Sequence, residues 1–248
     1  MTTLRDKLIG PSAAFGTWLA IDSTIAAETM GRVGFDAVVV DTQHGGASEA
    51  QLLPMLQALD ATGTPALVRV PWLEPARIMR AADLGAAGVI VPMVSTPADA
   101  EAALAAIRYP PRGTRSFGPV RRGYSPDGSA QDPLCIVMIE TAEAMRNLDA
   151  IAATPGLDGL LVGPVDLALS LGFELSLEMP EAVLAAVGEV AAAARTHGLI
   201  CASVSFGPEN ASRQIQSGVT FLVSGSDSMF MRRAAEAELA ELRKLGAE

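Results

Sequence analysis

Met138-Ile139-Glu140-Thr141, then an alanine-containing run of helix length, then Leu161-Val162-Gly163-Pro164-Val165-Asp166 outline a strand–helix–strand unit. Each end is an apolar run that stops at a carboxylate. In such a unit the two strands are parallel, so their carboxyl ends emerge on the same side of the sheet. Glu140 and Asp166 are therefore expected side by side at one mouth. Two converging carboxylates with no lysine near them suit a hard divalent cation bound through oxygen. The plain alternative is two solvated loop acids, and the rest of the chain decides between them.

Outward from this unit a pattern repeats. Gly34-Phe35-Asp36-Ala37-Val38-Val39-Val40-Asp41, Gly85 to Pro92, Gly156 to Gly163 and Gly218 to Gly225 each place a glycine ahead of an apolar run, seven residues before its end. The physical reading is a helix ending in a left-handed glycine, a short loop, and a strand buried on both faces. Between these four lie Ala66 to Val70, Leu134 to Glu140 and Leu199 to Ser203, and Ala13 to Ala20 precedes them all. That makes eight strands, with the glycine repeat marking the even ones. Helical spacing is expected over Thr24 to Arg32, Ser48 to Thr62, Glu74 to Leu84, Pro97 to Arg108, Ala142 to Ala153, Pro180 to His197 and Pro208 to Ser217, with a closing helix over Met229 to Leu245.

Eight strands alternating with helices predict a (β/α)8 TIM barrel as one domain over residues 1–248. An open doubly wound sheet is the alternative, but the first strand–helix turn lacks Gly-x-Gly-x-x-Gly, which argues against dinucleotide binding. The stretch Tyr109 to Asp132 is rich in Pro, Gly and Arg, with Arg112, Arg115, Arg121 and Arg122 close together. A loop this long is expected to be functional or else disordered, and it is placed after the fourth strand on the mouth side.

The chain has 248 residues, is 50% hydrophobic and carries a formal net charge of −10. That balance argues against nucleic acid and anionic membrane as partners, since both need basic patches. The first residues lack the apolar core of a signal peptide, and no apolar run is long enough to span a bilayer. Cys135 and Cys201 each sit inside an apolar run and are expected to be buried free thiols, with a cytoplasmic location following from them.

In a barrel the reacting groups come from the carboxyl ends of the strands. Asp41 ends the second strand and His44 follows it; Arg69 ends the third; Glu140 and Asp166 follow the fifth and sixth. His44 reads as a general base, with Asp83 or Asp41 as the carboxylate that holds its tautomer. His197, at a helix end, needs no further role. Arg69 lies in an otherwise apolar strand, either as a structural ion pair with an acid on a neighbouring strand or as a clamp on a developing oxyanion. Val165 and Asp166 supply the first free amides after Pro164 and could hold a substrate carboxylate. Ser224-Gly225-Ser226-Asp227 could do the same for a phosphate. The two lysines, Lys7 and Lys244, lie near the chain ends, which argues against Schiff-base chemistry.

These motifs together resemble the HpcH/HpaI aldolases, the metal-dependent class II pyruvate aldolases, over nearly the whole chain. The resemblance rests on Phe35 to His44, Val68-Arg69-Val70-Pro71-Trp72, Gly88 to Met93, Arg108-Tyr109-Pro110-Pro111-Arg112-Gly113, Ile139-Glu140-Thr141 and Gly163 to Leu167. It implies that Glu140 and Asp166 carry a divalent metal (Mg2+, Mn2+ or Co2+). It further implies that His44 is the base, Asp83 the acid behind it, Arg69 the transition-state stabiliser and Val165 an amide on the substrate carboxylate. Trp18 and Met138 join them as substrate-facing residues, and Met138 stands where several members have a glutamine. The expected substrates are a small 2-oxo acid and an aldehyde. The expected assembly is a homo-oligomer, a trimer or a hexamer with swapped C-terminal helices. Rival expectations are a decarboxylase or a malyl- or citryl-thioester lyase using the same enolate, and a non-catalytic barrel.

Overall fold

The computed structural model of the chain describes residues 3–118, 121, 132–176 and 178–245. Eight parallel strands close on themselves in chain order: β1 (Ala14–Leu19), β2 (Ala37–Asp41), β3 (Ala66–Arg69), β4 (Gly88–Val91), β5 (Leu134–Ile139), β6 (Gly159–Val162), β7 (Ile200–Ser205) and β8 (Phe221–Ser226). The expected (β/α)8 barrel is the observed architecture, and the glycine repeat does precede the even strands. Gly34, Gly85, Gly156 and Gly218 have φ of 101°, 100°, 90° and 102°, the left-handed region in which only glycine is unstrained. The strands end at varied distances beyond these glycines. What is constant is the lead-in: each glycine stands three residues before the strand's first residue.

The strands read as unbroken apolar runs because both faces are covered. Alternate residues such as Val39, Leu67, Ile90, Ile136, Leu161 and Phe221 fill the barrel interior. Their neighbours Val38, Val68, Val89, Val137, Leu160 and Leu222 pack outward under the helices. The helices of the outer ring are α2 (Thr24–Gly31), α3 (Glu49–Thr62), α4 (Pro75–Asp83), α5 (Pro97–Ile107), α6 (Ala142–Arg146), α7 (Leu148–Ala152), α8 (Pro164–Ser170), α9 (Glu181–His197), α10 (Pro208–Gln216) and α11 (Asp227–Leu245). A short N-terminal helix, α1 (Leu4–Leu8), was not expected; five residues are too few to show a period. Thr3 and Asp6 cap it reciprocally, and its Leu8 joins the interior cluster.

Three expectations need correction. The helix expected over Ala142 to Ala153 is two, α6 and α7, divided at Asn147, whose side-chain amide donates to Ser95 O at 2.8 Å. The apolar run from Leu161 does not reach Asp166 as one strand: β6 ends at Val162 and Pro164 opens α8. The described residues of the arginine-rich stretch, 109–118, 121 and 132, lie at the opposite end from the mouth. They follow α5, which has already carried the chain back to the amino ends of the strands. There Arg115 pairs with Asp83 at 2.6 Å, Arg112 with Asp132 at 2.6 Å, and Arg121 with Asp60. Arg122 lies outside the described residues.

Candidate active site

The carboxyl ends of the strands open onto a cavity of about 930 Å³ whose walls include Trp18, Asp41, His44, Arg69, Met138 and Asp166. Glu140 follows β5 directly and sits beneath the mouth at 3% exposure. Its Oε1 accepts the Met93 amide at 2.6 Å. Met93 is the one non-glycine residue with positive φ among the described residues, at 59°. Such a backbone costs energy unless its surroundings enforce it, and here it aims an N–H at the carboxylate. On the other side, Gly163 ends the apolar run of β6. A Cβ on Gly163 would stand 2.5 Å from Glu140 Oε2 and 2.9 Å from Glu140 Cβ. The carboxylate therefore occupies space that only a glycine leaves open.

Burial pushes the Glu140 carboxyl above its usual range; the Met93 hydrogen bond opposes this, the Asp166 charge adds to it, and the Arg69 charge opposes it. The Asp166 charge acts on Glu140, and Asp166 lines the cavity. Asp166 lies in the first turn of α8, is exposed, and has no hydrogen-bond or ion-pair partner among the described residues. No group of three or more His, Cys, Asp or Glu side chains suited to a metal ion occurs among the described residues. Two oxygen donors, one buried and one open, with room left for substrate and water, fit a hard six-coordinate ion such as Mg2+ better than a closed zinc site.

Beside this pair stands a second one. Asp41 and Arg69 are direct cross-strand neighbours at the ends of β2 and β3. Arg69 Nε and Nη2 donate to the two Asp41 oxygens at 2.9 and 2.7 Å. The guanidinium also stacks 4.3 Å from the centre of the Trp18 ring. The ion pair expected for Arg69 is made with Asp41 of the neighbouring strand, and the guanidinium also stands on the cavity wall. Asp41 Oδ1 further accepts the backbone amides of Gln43 at 3.1 Å and His44 at 3.3 Å. One carboxylate therefore orients both the arginine and the backbone that carries His44. His44 itself is exposed to the cavity.

Asp83 does not support His44 within this chain. It is the last residue of α4, a helix that starts at the mouth and ends at the far side of the barrel, and Arg115 holds its carboxylate with two hydrogen bonds of 3.1 and 2.6 Å. The sequence shows only that Asp83 follows the third strand; the length of α4 carries it away. Asp41 is the acid next to His44. His197 pairs with Asp149 at 3.0 Å, outside the cavity. Val165 lines the cavity, and Met138, at 1% exposure, forms part of its floor. The phosphate reading of Ser224 to Asp227 falls, because Ser226 Oγ accepts the Met229 amide at 3.2 Å and the Asp227 carboxylate already occupies this turn. Met93 was missed, and its sequence carries no sign of a positive φ. Gly163 had no site role among the expectations, although a glycine closing an apolar strand is a usable signal.

Residues 14–234 match the family model described as HpcH/HpaI aldolase/citrate lyase. The chain is 37% identical to the hydroxypyruvate/pyruvate aldolase of Rhizorhabdus wittichii, over 94% of this chain and 95% of that one. It is 36% identical to the 5-keto-4-deoxy-D-glucarate aldolase of Salmonella paratyphi C, over 97% and 96% respectively. Among solved structures, an HpcH/HpaI aldolase/citrate lyase family protein from Burkholderia cenocepacia superposes with a TM-score of 0.87 at 32% identity, covering 98% of this chain and all 100% of that one.

Proposed function

The chain belongs to the HpcH/HpaI aldolase/citrate lyase family and is a carbon–carbon lyase, and we propose that it cleaves a 4-hydroxy-2-oxo acid reversibly to pyruvate and an aldehyde. The observation that carries this reading is the shaped pocket of Glu140, with Asp166, Arg69 and His44 around the same cavity. Glu140 and Asp166 would hold a divalent cation, Mg2+, Mn2+ or Co2+. When bound, that cation supplies Lewis acidity to the 2-oxo group.

The remaining steps fall to the chain's own residues. The Val165 and Asp166 amides, at the start of α8, would hold the substrate carboxylate. His44 takes the proton from the 4-hydroxyl, the C3–C4 bond breaks, and the electron pair passes to the 2-oxo oxygen. Arg69, fixed by Asp41 and Trp18, faces the negative charge that builds on that oxygen. The aldehyde leaves, and the enolate takes a proton at C3 to become pyruvate.

The assay is a panel of aldehydes supplied with pyruvate and Mn2+ or Mg2+, read by the mass of the adduct. Adduct formation should vanish on chelation and return with added metal; full activity in chelator would overturn the scheme. A thioester lyase would release acetyl-CoA instead of pyruvate. Its nucleotide needs a basic groove, whereas Arg112, Arg115 and Arg121 are all paired with carboxylates at the far end of the barrel.

Helix α11 supports a homo-oligomer. Asp227 is its only buried residue, and Met231, Leu239, Leu242 and Leu245 are 60%, 47%, 54% and 74% exposed. Beyond its first turns, which pack at β1 and β8, α11 carries an apolar stripe that stays exposed, which suits a helix swapped onto a neighbour, in a trimer or a hexamer. Sedimentation should show an assembly of that size, with deletion of residues 232–248 reducing it to monomer. No helix among the described residues is long and apolar enough to cross a membrane. Cys135 and Cys201 are free and buried, with thiols pushed up to about 12, which supports a cytoplasmic setting.

A further inference from the structure

The loop that carries His44 is held from two sides. On its amino side Asp41 accepts the Gln43 and His44 amides. On its carboxyl side the Gly46 amide donates to Ala20 O at 2.7 Å, in the loop that follows β1. The contact is backbone on backbone: a Cβ on Gly45 would lie 2.4 Å from Asp41 O and 3.2 Å from Ala20 Cα. Asp22, in the same β1 loop, accepts the Ser48 amide and hydroxyl at 3.4 and 3.2 Å. The His44 segment therefore goes where the β1 loop goes.

The β1 loop is in turn fixed by one side chain. Asp227, 5% exposed at the start of α11, accepts the Ala20 amide on Oδ1 at 2.8 Å and the Ile21 amide on Oδ2 at 3.1 Å. Its Oδ1 also takes its neighbour's amide, Ser228 N, at 2.8 Å. Asp227 is the only residue of α11 buried in the described structure, so its carboxylate serves the β1 loop and not the packing of its own helix. It also anchors the chain two residues beyond Trp18, whose ring lies on Arg69.

We infer that Asp227 is a positioning residue for the base: its buried carboxylate clamps the Ala20–Ile21 backbone, and through the Gly46–Ala20 contact sets the place of His44. This rests on the reading that His44 takes the 4-hydroxyl proton. No hydrogen bond links Asp227 to Glu140 or Asp166, so it acts on the base half of the site and leaves the two metal-binding carboxylates alone.

Two reactions separate these halves. Aldol cleavage needs a base at the hydroxyl. Decarboxylation of oxaloacetate breaks the bond from C3 to its carboxylate, releases CO2 and sends the electron pair to the 2-oxo oxygen, giving the same enolate with no hydroxyl proton to remove. In the metal-loaded enzyme, Asp227→Asn should lower kcat for cleavage on the order of 10-fold to 100-fold, since a small displacement of a reacting group is enough. Decarboxylation and the KM for pyruvate should stay within about twofold of wild type by the same reasoning. His44→Ala is the reference and should show the same selectivity with a larger loss. An equal fall in both reactions for Asp227→Asn, or no fall in either, overturns the inference while leaving the role of His44 intact. A His44→Ala variant that still cleaves removes the base reading and the inference with it. Should Asp227→Asn not fold, Asp227→Glu keeps both acceptor oxygens and carries the same pair of assays.

Discussion

Arg69→Ala should lose aldol cleavage by a factor on the order of 100 to 1000 while still binding divalent metal, because removing one fixed donor from a developing oxyanion costs that much. The guanidinium makes no contact that the Glu140 and Asp166 carboxylates depend on for their placement. Its two hydrogen bonds go to Asp41 and its face goes to Trp18. A second consequence follows for stability. Asp41 is 5% exposed, and without Arg69 its carboxylate is buried with no cation beside it. Breaking a buried pair from one side costs about 3–5 kcal/mol, so the melting temperature should drop as well. Arg69→Lys should rescue little of either, since one ammonium cannot make both hydrogen bonds and stack flat on an indole. The measurements are steady-state cleavage, calorimetric titration with Mn2+, and a melting curve. Cleavage within tenfold of wild type, or a titration that has lost its metal site, would remove Arg69 from the oxyanion role.

The barrel was legible because its signals are local. A left-handed glycine before Ala37, Gly88, Gly159 and Phe221, and strands apolar on both faces, follow from backbone sterics and two-sided burial. Parallel strand ends then put Asp41, Arg69, Glu140 and Asp166 at one mouth without any knowledge of side-chain contacts. What failed to show was distance along the barrel axis. Asp83, Arg112, Arg115 and Arg121 follow the right strands, but a helix lies between each and the mouth, and a helix of this length crosses the whole barrel. The same displacement turns a seemingly basic groove into a set of ion pairs at the opposite face, where Arg108 also bridges Asp158 at 2.8 Å and Pro133 O at 2.6 Å. The other silent features are contacts between loops distant in sequence: the Met93 amide on Glu140, and Asp227 on the β1 loop. Neither leaves a pattern in composition or spacing.

Gly163→Ala should weaken the metal site without unfolding the barrel. Gly163 has φ −91° and ψ 90°, which alanine adopts without strain, so the substitution acts through space alone. Gly34, at φ 101° with nothing within 4 Å of a new Cβ, is the opposite case: there alanine would be strained with ample room. At Gly163 the new methyl meets Glu140 Oε2 at 2.5 Å and Met138 Cε at 3.1 Å. Met138 can yield, being a flexible thioether. Glu140 cannot retreat without giving up the Met93 amide on its other oxygen, 2.6 Å away. Its carboxylate must therefore shift from the position that the Met93 amide sets. Disturbing the setting of a ligand in this way typically costs about 10–100-fold in metal affinity. Thermal melts with and without Mn2+ read this directly. At a metal concentration about 100 times the wild-type Kd, binding stabilises the wild type by about 2.7 kcal/mol, while a site weakened 100-fold gains only about 0.4 kcal/mol. The metal-free variant should lose the stability, about 1–3 kcal/mol, that overpacking against Glu140 Cβ costs, and the metal-induced shift should all but disappear in the variant. An undiminished shift in Gly163→Ala would mean that the ion is not held where the Glu140 carboxylate lies, and the place of Glu140 as a ligand would have to be given up.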